Sequence, residues 1–348
     1  MKQSEHDIIA SVVILNWNGR KLLEQFLPSV VRYSADASAQ VVVADNGSTD
    51  DSVAYVKANF PTVRVIELPE NYGFAGGYNK ALEYIDSKYV VLLNSDVEVT
   101  PNWLVPLIGY MEENDDVVAV QPKILAYHNK SMFEYAGASG GFIDKYGYPF
   151  CRGRIINKVE EDNGQYDTII PVFWATGAAL FIRLDEYKEA GGLDTRFFAH
   201  MEEIDLCWRL NARGHKIMCI PTSVVYHVGG ASLGKENPKK LYLNFRNNLL
   251  MLHKNLPKNR YPTTFIVRFL FDAVAFLQLV VTGQFKQAKA VVNAYSDFLR
   301  TKSSFNDSRR LNISKTVVPK PSGQYMGSIL IKFYTGCRTF SSLNKEHK

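Results

Sequence analysis

Cysteine is scarce in this chain. The four in 348 residues, Cys151, Cys207, Cys219 and Cys337, form no C-x-x-C pair and show no zinc-ligand spacing. That excludes a zinc ribbon and a disulfide-stapled scaffold, and it suits buried thiols in a reducing compartment. Two glycine signatures are also missing. No G-x-G-x-x-G directly follows the first apolar run and no G-x-x-x-x-G-K-[ST] occurs, which excludes the usual dehydrogenase and P-loop sites. No Ser-His-Asp or Cys-His arrangement is evident, and no internal repeat or low-complexity tract is present. The opening MKQSEHDIIASVVIL lacks a basic stretch leading into a secretory apolar core, so it reads as a first strand and the body of the chain is expected to be cytoplasmic.

The net charge of +5 hides an asymmetry. Residues 231–348 hold 20 Lys+Arg and 5 Asp+Glu, a net +15, while the rest hold 20 and 30, a net −10. An acidic body with a basic tail suggests two jobs.

Apolar runs predict strands at Ser11–Leu15, Gln40–Ala44, Val63–Glu67, Tyr89–Leu93 and Val117–Gln121. Helical stretches are predicted between them at Arg20–Arg32, Asp50–Asn59, Gly77–Ser87 and Pro101–Glu113. Alternation with short connections predicts right-handed βαβ units and a mostly parallel α/β sheet covered on both faces. From 123 to 170 the period is lost, as in a loop-and-hairpin insertion; regularity returns at Val172–Ile182, a helix near Met201–Arg213, and two short strands before His227.

Five stretches carry chemistry. VVVADNGSTDDS (41–52) ends a strand at Asp45, and a capped turn accounts for Asn46 to Asp51 but not for Asp45, which suits hydrogen bonds from a ribose or base. NYGFAGGYNKAL (71–82) sets Gly73, Gly76 and Gly77 before a helix, for an anion or for close packing. YVVLLNSDVEVTPNW (89–103) places Asn94, Ser95 and Asp96 at a strand's carboxyl end, where Asp96 either caps the next turn or holds Mg²⁺ or Mn²⁺ against a phosphate. FFAHMEEIDLCWRLNARGH (197–215) offers Glu202, Glu203 and Asp205 at a helix start; the dipole welcomes all three, and helical geometry does not choose a base among them. VVYHVGGASLG (224–234) offers His227, a structural residue or a ligand.

Together these stretches resemble the family-2 inverting glycosyltransferases of GT-A fold, especially the rhamnosyltransferase-like branch. VVILNWNG (12–19) and ATGAALFIRLDEYKEAGGLDTRFF (175–198) extend the match over roughly the first 260 residues, in order. The resemblance implies a donor site at Asn16, Asp45, Gly73, Gly76, Asn79, Asn94, Ser95 and Asp96, and a sugar region at Trp174, Thr176 and Gly177. It implies Asp96 as the second acid of the family's D-x-D metal motif, His227 as a further group at the metal or diphosphate, and Glu203 as the base, with Glu202 and Asp205 as rivals. Two departures stand out: Asn94 replaces the first Asp of D-x-D, and Glu203 replaces the usual Asp. The expected reaction moves a sugar from a UDP- or dTDP-sugar to a glycan or lipid-linked acceptor in cell-surface polysaccharide assembly. A sugar-phosphate nucleotidyltransferase and a non-catalytic sugar-binding module are the alternatives.

A catalytic domain at 1–260 would then precede a helical region at 261–348. Within the latter, PTTFIVRFLFDAVAFLQLVVTG (262–283) is long enough to span a bilayer, but Arg268 and Asp272 would each cost about 2.5–3.5 kcal/mol at its centre. At i and i+4 they share a face with Thr264, so a helix lying in the interface of an anionic membrane is expected, with helical packing on the catalytic domain as the alternative. No nucleic-acid-binding module accompanies the basic charge.

Overall fold

Every residue of the Tyr89–Leu93 strand is buried, and alternate residues enter opposite layers: Val90 and Leu92 join one apolar cluster, Tyr89, Val91 and Leu93 the other. A strand covered on both faces has to be apolar throughout, which is why it reads as a run rather than an alternation. The computed structural model describes residues 8–229 and 237–345; the first seven residues and the GASLGKE segment lie outside them.

In chain order, β1 (Ala10–Asn16), α1 (Arg20–Ser34), β2 (Ala39–Asn46), α2 (Ser52–Asn59), β3 (Arg64–Leu68), α3 (Gly73–Leu82) and β4 (Tyr89–Leu93) build a parallel half-sheet. Next come β5 (Val97–Val99), α4 (Val105–Glu113), β6 (Val117–Ala126) and β7 (Asn129–Phe133). The aperiodic stretch holds β8 (Gly141–Asp144), β9 (Pro149–Cys151), β10 (Arg154–Ile155) and β11 (Lys158–Val159), which form a small separate sheet. The chain returns through β12 (Ile170–Pro171), β13 (Ala179–Arg183), α5 (Leu184–Ala190), α6 (Glu202–Ala212) and β14 (Lys216–His227). The main path of the large sheet runs β12-β14-β6-β13-β4-β1-β2-β3, with β13 antiparallel between β4 and β6.

Several expected boundaries shift. The two strands expected before His227 are one, β14, whose register with β6 breaks between Ile220 and Val224, beside Pro221. Proline cannot donate to a ladder, so the strand bulges there without ending. Helix α3 starts at Gly73 (φ +70°) rather than Gly77, because the glycines form its first turns. Helix α4 starts at Val105 rather than Pro101, after a turn with Asn102 at φ 59°.

The remaining elements are α7 (Pro238–Asn255), α8 (Tyr261–Val281), α9 (Phe285–Thr301), α10 (Asn306–Ser314), β15 (Gln324–Tyr325), α11 (Ile329–Tyr334) and α12 (Phe340–Lys345). They are woven into the body. Strand β15 extends the small sheet along β8, the buried Asp144 accepts from Ile329 N at 3.0 Å, and Phe340 packs on Phe142 and Phe150. Helix α8 is inverted. Its buried residues are Thr264, Arg268 and Asp272, while Ile266, Phe269, Leu270, Val274 and Leu277 point outward. Inside, Asp272 pairs with Arg268 at 3.2 Å and accepts from the Tyr148 and Tyr295 hydroxyls at 2.9 and 2.7 Å.

Candidate active site

Parallel pairing aligns Asn16 with Asp45 at the carboxyl ends of β1 and β2. The Asn16 amide donates to Asp45 Oδ1 at 2.9 Å and to the Ser48 and Ser52 hydroxyls at 3.1 and 2.9 Å. Asp45 Oδ2 accepts from Ser48 N at 3.0 Å, so the turn does use this carboxylate, contrary to the expectation that capping leaves it unexplained. Its remaining lone pairs stay available to a ligand. Beside them Trp17 is 58% exposed, a flat aromatic that the sequence reading passed over. An indole between two asparagines just beyond a strand end was the available signal.

At the end of β4, Asn94 and Ser95 are half-buried and Asp96 is buried. Register places His227 opposite Val97, and its Nε2 lies 3.1 Å from Asp96 Oδ1. The Asn94 amide is 3.4 Å from the same nitrogen. Glu134, which no sequence pattern marked, is buried with Oε1 3.6 Å from His227 Nδ1. Burial opposes protonation of this imidazole, but Asp96 and then Glu134 outweigh it and push it up to about 10. Asp96 Oδ1 and His227 Nε2 thus face each other with excess negative charge around them, and a cation taken between them would displace the imidazole proton. Among the described residues no group of three or more His, Cys, Asp or Glu could hold a metal ion. One carboxylate and one imidazole fit a hard cation that takes the rest of its shell from substrate phosphates and water.

The α6 acids separate by environment. Asp205 is fully buried and committed: it accepts from Arg209 Nε at 2.9 Å, Lys254 Nζ at 2.7 Å and Asn255 Nδ2 at 2.7 Å. It is therefore a structural tie between α6 and α7 and has no room to serve as a base. Glu202 is buried with Oε2 unpartnered; burial and then neighbouring Glu203 push it well above the carboxylate range. Glu203 is only half-buried, its Oε2 also lacks a partner, and burial raises it as well. Its β-carbon sits beside Gly177. The next residue, Ala178, accepts from Asn94 N at 3.0 Å, so the Glu203 and Asp96 loops are neighbours.

The loop before α6 is strained, with Phe198, His200 and Met201 at φ 68°, 70° and 76°. Asn247 of α7 holds it through one amide nitrogen, 2.9, 2.8 and 2.8 Å from the carbonyls of Phe197, Ala199 and His200. Other expected donor and sugar contacts turn out to be internal. Asn79 is spent on Leu193 and the Tyr187 hydroxyl. Gly76 leaves room for the Tyr72 side chain, and Gly73 takes a φ of +70° with its N–H on Asn71 Oδ1 at 2.8 Å. Trp174 is buried with its indole N–H on Phe142 O at 2.9 Å, and Thr176 shapes the turn by accepting from Ala178 N.

Residues 11–170 match the sequence model of glycosyl transferase family 2. The chain is 24% identical over 260 residues to N-acetylglucosaminyl-diphospho-decaprenol L-rhamnosyltransferase of Mycobacterium tuberculosis, covering 70% of this chain and 84% of that one. The fold is GT-A. It is shared with S. aureus TarS in complex with UDP-GlcNAc (TM-score 0.55, 15% identity, 88% of this chain and 89% of that one). It is shared too with GalNAc-T7 bound to UDP, GalNAc and Mn2+ (TM-score 0.58, 17% identity), where the match spans 73% of this chain and 49% of that one.

Removing the Asp205 carboxylate leaves buried cations short of a partner. Asp205→Ala is expected to lose about 3–5 kcal/mol of stability, the usual penalty for breaking one side of a buried ion pair. Urea unfolding reads this; an unchanged midpoint with lost turnover would return Asp205 to the reacting groups.

Proposed function

We propose that this chain, whose residues 11–170 match the sequence model of glycosyl transferase family 2, moves a sugar from a UDP- or dTDP-sugar to a hydroxyl of a glycan or lipid-linked acceptor, with inversion. The supporting observation is convergence. The ends of β1, β2 and β4, the start of β13 and the first turn of α6 meet at one sheet edge, where open α/β sheets bind ligands. The rhamnosyltransferase relative is named for a diphospho-lipid-linked sugar, and the TarS structure holds UDP-GlcNAc, which supports both substrate classes. The catalytic unit in this reading is 1–260, since α6 and α7 lie beyond the matched segment.

Asp45 accepts hydrogen bonds from the base or ribose, and Trp17 offers a face for stacking. Asp96 and His227 would hold a divalent cation, Mg²⁺ or Mn²⁺, which when bound offsets the charge of the leaving diphosphate. Asn94, in the place of a first acid, contributes an amide dipole and no charge. Glu203 takes the proton from the acceptor hydroxyl. The oxygen attacks the anomeric carbon from the face opposite the diphosphate, and the bond to the diphosphate breaks with its electron pair. Glu202, more deeply buried, keeps its proton and adds no second charge.

The same reading puts the enzyme on the inner face of the cell membrane. Its cysteines are free and buried, as in a reducing compartment. Helix α8 turns Ile266, Phe269 and Val274 outward at 62%, 59% and 65% exposure while sealing its ion pair inside. That polarity suits a helix lying in lipid at the interface.

Three outcomes follow. Asp96→Asn should abolish transfer, as should EDTA on the unaltered protein, with recovery on Mn²⁺ or Mg²⁺; full turnover in excess EDTA would overturn the cation. Glu203→Gln should lower kcat by about 10²–10⁴-fold with donor binding intact by calorimetry. Because burial raises Glu203, kcat should fall on acidification while the pH is still above the ordinary carboxylate range, and the Gln variant should lose that limb. A dead Glu202→Gln beside an active Glu203→Gln would reverse the assignment. Finally, the protein should co-sediment with phosphatidylglycerol vesicles, less as salt rises, and Leu270→Glu/Val274→Glu should stay in the supernatant. Equal sedimentation of that variant would make α8 a packing element only.

A further inference from the structure

The apolar strip of α8 ends at Val281, and the exposed Phe285 carries it into α9. The next residue, Lys286, opens a groove between the first turns of α7 and the outer side of α9. Lys239, Tyr242, Lys289, Asn293 and Arg300 line it as well. Its one acid, Asp297, is already engaged by the Tyr242 hydroxyl and the Arg300 guanidinium. Among the described residues, neither Lys286 nor Lys289 has an ion-pair partner. The groove points two ways. One end meets the apolar strip, and at the other Lys239 Nζ lies 5.2 Å from the centroid of Phe198, in the strained loop that leads to Glu203.

We infer that this groove binds the phosphate of a lipid lying in the bilayer interface. Lysines unpaired within the protein, beside an exposed apolar face, are the chemistry that recognises a charged headgroup whose chains are buried next to it. An amide from Asn293 adds a neutral hydrogen-bond donor for phosphate oxygens. Two sources share that chemistry: the phosphodiester of an anionic phospholipid, and the diphosphate that joins a lipid to an acceptor sugar. In the second case the groove would lead the sugar from the membrane toward the Phe198 loop. The inference rests on the reading of α8 as a membrane face, but not on the identity of the transferred sugar.

The test uses the full chain and three vesicle types: phosphatidylcholine alone, phosphatidylcholine with phosphatidylglycerol, and phosphatidylcholine with farnesyl diphosphate. Lys286→Ala/Lys289→Ala should partition about 30-fold less onto vesicles carrying the recognised phosphate, as loss of two interfacial lysines implies, and unchanged onto phosphatidylcholine. Loss on phosphatidylglycerol alone assigns the groove to headgroups, loss on farnesyl diphosphate alone assigns it to a lipid diphosphate, and loss on both assigns it to either phosphate. Lys57→Ala/Lys80→Ala removes the same charge from the catalytic body and should change nothing. Undiminished binding of the groove variant, or an equal loss in the body variant, would overturn the inference. Donor binding by calorimetry is measured alongside, so failure of the transferase reading is seen separately.

Discussion

A carboxylate sealed from water holds α6 against α7. Asp205 receives three donors, two of them cationic, and Lys254 is shared with Asp194, which Arg196 and Lys254 hold well below the usual carboxylate range despite burial. Satisfied on every side, such a cluster tolerates one arrangement of its helices, because any slip leaves a buried charge unpaired. That fixes the azimuth of α6. With Asp205 turned into the protein, Glu203, two residues earlier, is directed to the Gly177 side, and Glu202 is left in the interior. Tertiary charge pairing thus gives the three acids, which helical geometry alone left equivalent, three different surroundings.

The second constraint is the direction of β13. Running antiparallel between β4 and β6, it brings its own amino-terminal turn to the edge where β1, β2 and β4 present their carboxyl ends. The contact of Ala178 O with Asn94 N closes the link between the acid on α6 and the acid after β4. A parallel strand in that position would have carried residues 174–178 to the opposite edge.

The parallel half of the sheet was legible because strands buried on both faces must be apolar runs, as β1, β2 and β4 are, while the edge strand β3 alternates with exposed Arg64 and Glu67. From the residues alone Asp96 and His227 were legible only as types; the family resemblance put both at the metal or diphosphate, and the register of β14 with β5 brings them to 3.1 Å. Glu134 carried no signal, because it lies in an aperiodic stretch just past β7 and is placed by long-range pairing, its backbone N–H bonding Ile124 O of β6 at 3.0 Å. Asn79 and Trp174 misled for a related reason. Both polar groups looked available in sequence, yet a carbonyl distant in sequence consumes each, Leu193 and Phe142 respectively. The face of α8 followed directly from i, i+4 spacing; that its polar side would be the inner one required the tyrosines of β9's hairpin and α9.

The loop at 198–201 shows why the helices beyond the sheet belong to the chemistry. Left-handed backbone at three non-glycine residues costs about 1–3 kcal/mol each, and it persists only where surroundings impose it. The imposition comes from Asn247, which gathers three carbonyls of that loop, and from Arg246, which donates to the carbonyls of Arg196 and Phe197. Both residues are on α7. The helix whose first turn borders the basic groove therefore also sets the conformation from which Glu203 projects, so its outer surface and the position of Glu203 share one element. Burial and the neighbouring Glu203 push the deeper acid, Glu202, well above the carboxylate range, and the positive end of α6 favours negative charge on the less buried Glu203.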